Sequence, residues 1–332
     1  MSEAGSVRPA RLTDRQALLD LSRQVHRGAE GFRRSLGVPA QESAPSRISL
    51  AALMPSWLPL RSPSLHLVAE WDGELVGSCR AIEEPHRDDW VITQLDATDS
   101  PMAAEVRFAL LRAVVDEGAQ RNVARLHAAC ADVPENMELF GQLRFMAYAQ
   151  EEIWYLPPGA GPKVAGMGET ALETVGPADA WHLFDLWTHT TPPAIARIEA
   201  YGAADWEPVG HEGVVPRSSL NPLLHFSAVN ACFQPDGQRV AGFAQHGACR
   251  DGPHYLRFLV REGADGAAFL RATLAAAGPE AAAAGMLAPV RTYESTGRLA
   301  AEEAGFESVG QVSMLVREVR AALRQPAMVP AV

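Results

Sequence analysis

Hydrophobic positions along this chain follow two kinds of spacing, and these succeed one another in the same order in each half. Short apolar runs or alternations at 7–10, 65–71, 74–82, 90–95, 126–130 and 146–156 predict strands. The helical spacing of Leu18, Leu21 and Val25, and then of Val106, Leu110, Ala113 and Val114, predicts helices over 14–25 and 101–118, with another over 134–143. Asp72-Gly73 between two apolar runs is the strongest hairpin signal in the chain, and Ser100-Pro101 suits an N-cap followed by a first helical residue. The stretch 27–63 is broken by prolines and serines and reads as a surface wrap. In the second half the pattern predicts strands at 171–175, 223–233, 240–249, 254–260, 287–290 and 307–316. Helices are expected at 178–190, 193–201, 267–277 and 295–304, with a closing helix over 317–324.

The run Pro157-Pro158-Gly159-Ala160-Gly161-Pro162 continues neither a strand nor a helix, so 158–168 reads as a linker between domains 1–157 and 169–332. Either side of it, short pieces match at a nearly constant offset. Asp14 answers to Asp179, and Leu19-Asp20-Leu21 to Phe184-Asp185-Leu186, both 165 residues on. The Asp72-Gly73 hairpin answers to Asp236-Gly237 at 164, and Arg144-Phe145 to Gly305-Phe306 at 161. Four such pieces in order imply a tandem duplication.

A length of 332 residues accommodates two domains with a core each, and 47% hydrophobic with 21% charged residues excludes a disordered or fibrous chain. The net charge of -11, with no basic stripe, argues against a sequence-independent grip on nucleic acid or an anionic membrane. Cys79, Cys130, Cys232 and Cys249 lie far apart, without metal-ligand spacing, and read as buried reduced thiols. The histidines His182, His189, His211, His225, His246 and His254 show no H-x-x-x-H spacing, so no metal is expected, although His225 and His246 are placed to face one another across strands. The start of the chain carries no apolar leader and no run approaches the length of a membrane span, which predicts a soluble cytoplasmic protein.

Val7-Arg8-Pro9-Ala10 leading to Asp14 and Leu21, the hairpin over 72–77, and residues 299–306 running into the last strand carry a resemblance. With this order of elements the chain resembles, over both halves, the GNAT superfamily of acyl-CoA-dependent N-acetyltransferases. The resemblance implies two mixed α/β domains, each a twisted, mostly antiparallel sheet flanked by helices, paired as a monomer with an internal two-fold or as a homodimer. It also implies acetyl-CoA or another acyl-CoA as co-substrate and a small amine as acceptor.

The family's chemistry makes three demands. A loop after the fourth strand cradles the coenzyme A pyrophosphate with glycine-backed N–H groups at a helix N-terminus. In the first half that loop spans 96–105, contains no glycine, carries Asp96, Asp99 and Glu105, and loses an N–H at Pro101. In the second half it is Arg261-Glu262-Gly263-Ala264-Asp265-Gly266-Ala267, which makes Arg261, Gly263, Gly266 and Ala267 the cofactor-binding candidates, with Asp265 an alternative helix cap. The tyrosine acid expected before the Gly-Phe pair is replaced by Phe140 and by Ala301, leaving Tyr293 as the candidate acid. A carboxylate base is expected on the central strands. Asp96, Glu83 and Glu84 read as solvated strand ends, while Tyr255 and His246 are the candidate substrate contacts on the second sheet. Trp181, Trp187, Trp206 and Tyr201 fall where the family builds its acceptor wall. Two functions follow: an N-acyltransferase with its cofactor in the second half, or a pair of worn copies that binds a small ligand or partner without catalysis.

Overall fold

The computed structural model describes residues 5–27, 64–84, 87–160, 170–207, 217–220, 226–249 and 252–319. In the first half they form β1 (Ser6–Pro9), α1 (Arg15–Arg27), β2 (Ser64–Trp71), β3 (Glu74–Glu83), β4 (Asp89–Ala97), α2 (Ala103–Gln120), β5 (Arg125–Ala131), α3 (Pro134–Gln142) and β6 (Met146–Leu156). The second half repeats the series as β7 (Glu173–Thr174), α4 (Ala180–Thr190), α5 (Pro193–Glu199), β8 (Phe226–Asp236), β9 (Arg239–Cys249), β10 (His254–Val260), α6 (Gly266–Ala284), β11 (Met286–Arg291), α7 (Ser295–Glu303) and β12 (Glu307–Glu318). The β2–β3 hairpin closes as its sequence predicts, with Asp72 at φ 50° and Gly73 at φ 78°, the left-handed pair that a type I′ turn requires.

The strands join in one twelve-stranded sheet of order β1-β2-β3-β4-β5-β12-β6-β11-β10-β9-β8-β7. This order reads the same from either edge once each first-half strand is matched to its repeat. Each half leaves a gap between its fifth and sixth strands, and the sixth strand of the other half fills it. Thus β12 pairs antiparallel with β5 on one side and β6 on the other, and β6 pairs antiparallel with β11. Nothing in the local pattern predicts this exchange, because it depends on which partner a strand finds and not on its own sequence.

Hydrophobic burial follows the repeat. Helix α2 lies on one face of β2–β5 over Leu67, Cys79, Leu95, Leu110 and Leu126, and α6 with α7 covers the matching face of the second half over Leu256, Phe258, Phe269 and Ala300. Gly77 and Gly242 mark equivalent crossings. A Cβ on Gly77 would stand 2.5 Å from Val106, and one on Gly242 would stand 2.8 Å from the ring of Phe269, so both positions exclude a side chain. On the opposite face of the second half, α4 packs Leu183, Leu186 and Trp187, with Trp206, against Phe243 and Leu259.

Several boundaries differ from the sequence expectation for identifiable reasons. Helix α2 begins at Ala103 because Ser100 closes a turn with its carbonyl instead of capping with its hydroxyl. Helix α6 continues to Ala284 through a kink at Gly278 (φ 85°), where Pro279 supplies no N–H to the preceding turn. Arg317 and Glu318, expected to open a closing helix, extend β12 against β5, and the rest of that predicted helix beyond 319 lies outside the described residues. So do most of the stretch 27–63 and, from residue 161 to 168, the linker. No helix among the described residues is long and apolar enough to cross a membrane.

The strand exchange predicts that residues 1–157 produced alone do not form a folded monomer, because β5 and β6 lose the strand between them. Size-exclusion chromatography with circular dichroism should show either an unfolded chain or a dimer in which a second β6 fills the gap. A monomer with a cooperative melt would contradict the exchange.

Candidate functional site

The two parallel strand pairs, β4 with β5 and β10 with β11, are each hydrogen-bonded at one end only. The first pair runs through Asp89–Val91 against Arg125–His127, and the second through His254 and Tyr255 against Met286 and Leu287. Beyond those residues the strands separate, leaving one opening in each half. The chemistry of the chain depends on what occupies each opening.

In the second half a buried ion pair stands at the opening. Arg257 projects from β10 just past the last paired residue and makes a two-pronged ion pair with Glu294, at 3.0 and 2.5 Å, with both groups buried. Glu294 also accepts the backbone N–H of Arg291 at 3.0 Å. The candidate cofactor loop is committed in the same way. The Arg261 guanidinium donates to Asp185 (2.7 Å) and to the Val240 carbonyl (3.1 Å), and Asp265 caps α6 by accepting the N–H of Ala268 (2.9 Å). Gly266 is needed for helix packing: a Cβ there would lie 3.0 Å from Ala300 Cβ and 3.4 Å from the Thr296 carbonyl, where α6 presses on α7. Gly263 takes a left-handed φ of 84° in the turn, and Ala267 is buried behind it. These contacts engage Arg261 and Gly266, two of the four candidates for the pyrophosphate cradle, within the protein. The helix dipole already has its anion in Asp265.

The other second-half candidates are equally engaged. Tyr255 is fully buried, its hydroxyl 2.8 Å from Ser218 Oγ, among Ile153, Leu287 and Val312. His225, the expected partner of His246, lies outside the described residues; His246 Nε2 lies 2.9 Å from His254 Nδ1, and burial with that neighbour holds its pKa down to about 4. Tyr293 sits beside the buried charges of Glu294, Arg291 and Glu199, and burial pushes its phenol well above its ordinary value. Trp187 and Trp206 are core residues, whereas Trp181 is 70% exposed.

A buried polar network covers the central seam of the sheet. Arg291 of β11 lies 3.1 Å from Glu151 of β6 and 2.9 Å from Glu199 of α5, and it donates to the Arg217 carbonyl at 2.7 Å. Ser219 donates its N–H (2.8 Å) and hydroxyl (2.5 Å) to Glu151. Arg217 reaches into the first half, where it clamps Glu84 and lies 3.3 Å from His127 Nδ1. Desolvation and the Arg217 charge hold His127 near pKa 4, so it stays neutral. Glu84 is therefore an ion-pair partner and not the solvated strand end expected from sequence, while Glu83 is exposed as expected.

The first half differs. Its opening is bordered on β5 by the small residues Ala128, Ala129 and Cys130, and the equivalent helices α2 and α3 do not pack on one another as α6 and α7 do. Asp96 near the end of β4 is 2% exposed, in contrast to the solvated position expected for it. One oxygen accepts from Gln94 Nε2 at 2.5 Å, the other has no partner, and desolvation raises the carboxyl from 3.8 to about 7. Arg107, one turn into α2, is close enough to temper that shift, and its own Nε is unpartnered. At the step beyond the helix-contacting glycine, Ser78 opposes Asp96 in the first half, whereas Phe243 opposes Leu259 in the second. At that step the face is thus polar in one copy and apolar in the other. A sequence signal existed: Ser78, Arg80, Gln94 and Asp96 share one face of neighbouring strands whose other face is apolar.

The four cysteines are free, and burial pushes Cys130 up to about 12, which leaves it unreactive. Among the described residues no group of three or more His, Cys, Asp or Glu is arranged to hold a metal ion.

No family model and no curated protein matches the chain. Solved structures do. The chain is similar to a tandem GNAT protein from the clavulanic acid biosynthesis pathway, over 96% of this chain and 100% of that one, at 12% identity and a TM-score of 0.56. It is also similar to a GCN5-related N-acetyltransferase from Sphaerobacter thermophilus, over 97% and 98%, at 12% identity and a TM-score of 0.58. The chain therefore has the tandem GNAT fold.

Two measurements check the electrostatics. Glu294→Gln leaves the Arg257 guanidinium buried without its counter-charge and should cost about 3–5 kcal/mol in denaturant unfolding, while Arg257→Met with Glu294→Met should cost far less. Asp96 holds a proton in the folded protein between pH 3.8 and about 7 that the unfolded chain has released, so its contribution makes stability fall as pH rises through that window. Asp96→Asn should remove a slope of up to about 1.4 kcal/mol per pH unit, and an unchanged pH profile would contradict the assigned burial.

Proposed function

We propose that the chain is an acyl-CoA-dependent N-acyltransferase for a small amine, with its reaction centre in the opening of the first half. The observation that carries this reading is Asp96, a buried carboxyl raised to about 7 on the part of β4 that has separated from β5, where the described residues hold no ion pair like that of Arg257 and Glu294. A base of that pKa is matched to deprotonating an ammonium near neutrality. Acyl-CoA supplies the thioester carbonyl as electrophile. Asp96 takes one proton from the acceptor ammonium, the amine forms a C–N bond to the carbonyl carbon, and the C–S bond breaks. The second nitrogen proton passes to the departing thiolate. Backbone N–H groups of β4 beyond Val91 are freed by the separation from β5 and suit the developing oxyanion. Arg107 offers a cation beside a loop that has no glycine.

The second half supports this centre as scaffold. Its exchanged strand completes the first-half sheet, its own opening is sealed by Arg257 and Glu294, and the internal repeat suits a monomer. A non-catalytic, ligand-binding reading is favoured by one observation, the glycine-free loop at 96–105, where Pro101 removes an N–H donor.

Calorimetric titration with acetyl-CoA separates the two. The transferase reading expects one site per chain, retained in Arg257→Met with Glu294→Met and weakened in Arg107→Ala. Absence of heat and of thermal stabilisation at millimolar acetyl-CoA would reject it. With an acceptor in hand, kcat/KM should rise with pH through about 7, and Asp96→Asn should lower it by about 100-fold or more without abolishing cofactor binding.

A further inference from the structure

The face of the first-half sheet that turns toward α1 carries polar groups left without partners. Paired strands place His66, Arg80 and Gln94 side by side across β2, β3 and β4, with Ser78 and Asp96 in the next row. Their neighbours of opposite parity, Leu65, Leu67, Cys79 and Leu95, point to the α2 core, which fixes the direction of the polar set. Val68 of the same row packs on Leu18 of α1. His66 is 6% exposed, yet neither ring nitrogen has a hydrogen-bond partner, and the same holds for Arg80 Nε and Asp96 Oδ1. A buried polar group left unsatisfied opposes folding, so a cluster of them in a folded chain points to a ligand.

The charges define its chemistry. Arg80 is a permanent cation whose direct cross-strand neighbours, His66 and Gln94, are neutral, since burial holds His66 near pKa 4. Among the described residues no carboxylate pairs with Arg80. In the second half Gln245 faces Arg257 at the corresponding place, and that arginine is neutralised by Glu294. The second half thus carries its arginine at the place of Gln94, not of Arg80, and gives it a carboxylate, whereas Arg80 has no such counter-ion among the described residues. A planar guanidinium in such a setting selects a carboxylate. Asp96 lies one strand over and one row along, a diagonal of roughly 7–8 Å between Cα atoms, which suits two groups on one small molecule.

We infer that the acceptor is an amine that also bears a carboxylate, an amino-acid-class compound whose carboxylate docks on Arg80 and His66 while its amine meets Asp96. This rests on the acyl-transfer reading for the role of Asp96 alone; the carboxylate site stands on Arg80 and His66.

The test uses the full chain, acetyl-CoA and L-α-amino acids beside matched amines that lack the carboxylate, such as histidine with histamine and tyrosine with tyramine. Coenzyme A release and thermal stabilisation are both read. The expected result is response to carboxylate-bearing members only, with Arg80→Gln lowering kcat/KM about 100-fold, mainly through KM, and Arg80→Lys recovering part of it. Unchanged melting of Arg80→Gln without ligand separates this from loss of fold. Amino-acid stabilisation that depends on Arg80 without coenzyme A release would retain the carboxylate site and reject acyl transfer. Equal acylation of matched amines, or indifference to Arg80→Gln, would overturn the inference while leaving acyl transfer in place. No response of either kind to any amino acid would also overturn it.

Discussion

The backbone hydrogen bonds of β12 with β5 and β6 hold this molecule together as one sheet. A strand between two others must satisfy both of its edges, and here one edge belongs to each half of the chain. The interior of either half is therefore incomplete without the other's last strand. The seam also determines where buried charge is tolerable. Arg291, Glu151, Glu199 and Arg217 sit over it joined by ion pairs and hydrogen bonds, so the network adds geometric specificity at a place where two copies of one fold could otherwise slide.

On this shared scaffold the two copies have diverged by filling. The second half closes its strand opening with Arg257 and Glu294, packs α6 onto α7 through Gly266, and covers the other sheet face with Trp187 and Trp206 against Phe243 and Leu259. Each of these contacts is made within the protein and commits the residues that make it. The first half keeps Ser78 and Asp96 where its repeat has Phe243 and Leu259, and it leaves both ring nitrogens of His66 and the Nε of Arg80 without hydrogen-bond partners.

Much of the fold was legible because its signals are local. The Asp72-Gly73 turn, the Leu110 and Val114 stripe of α2 and the apolar alternation of β2 and β3 each depend on residues a few positions apart, and the repeat offsets placed both copies. The exchange of β6 and β12 was not legible, since either strand has the same alternation whichever neighbour it takes. The surroundings of the candidate site were less legible for a related reason. Gly263 and Gly266 match a cofactor loop by type, but what Gly266 accommodates is Ala300, thirty-four positions along the chain, and Arg261 is spent on Asp185. Asp96 looked like a strand end in water because its burial comes from elements distant in sequence. Glu84 misled in the same way, its partner Arg217 lying far along the chain.

The central claim is that acyl-carrier binding belongs to the first copy and that the second is sealed. A crystal structure of the full chain grown with acetyl-CoA tests it most directly. The account predicts the thioester between β4 and β5, with its carbonyl near the freed backbone beyond Val91 and Asp96 facing it. Density for the cofactor between β10 and β11, with the Arg257–Glu294 pair displaced, would contradict it.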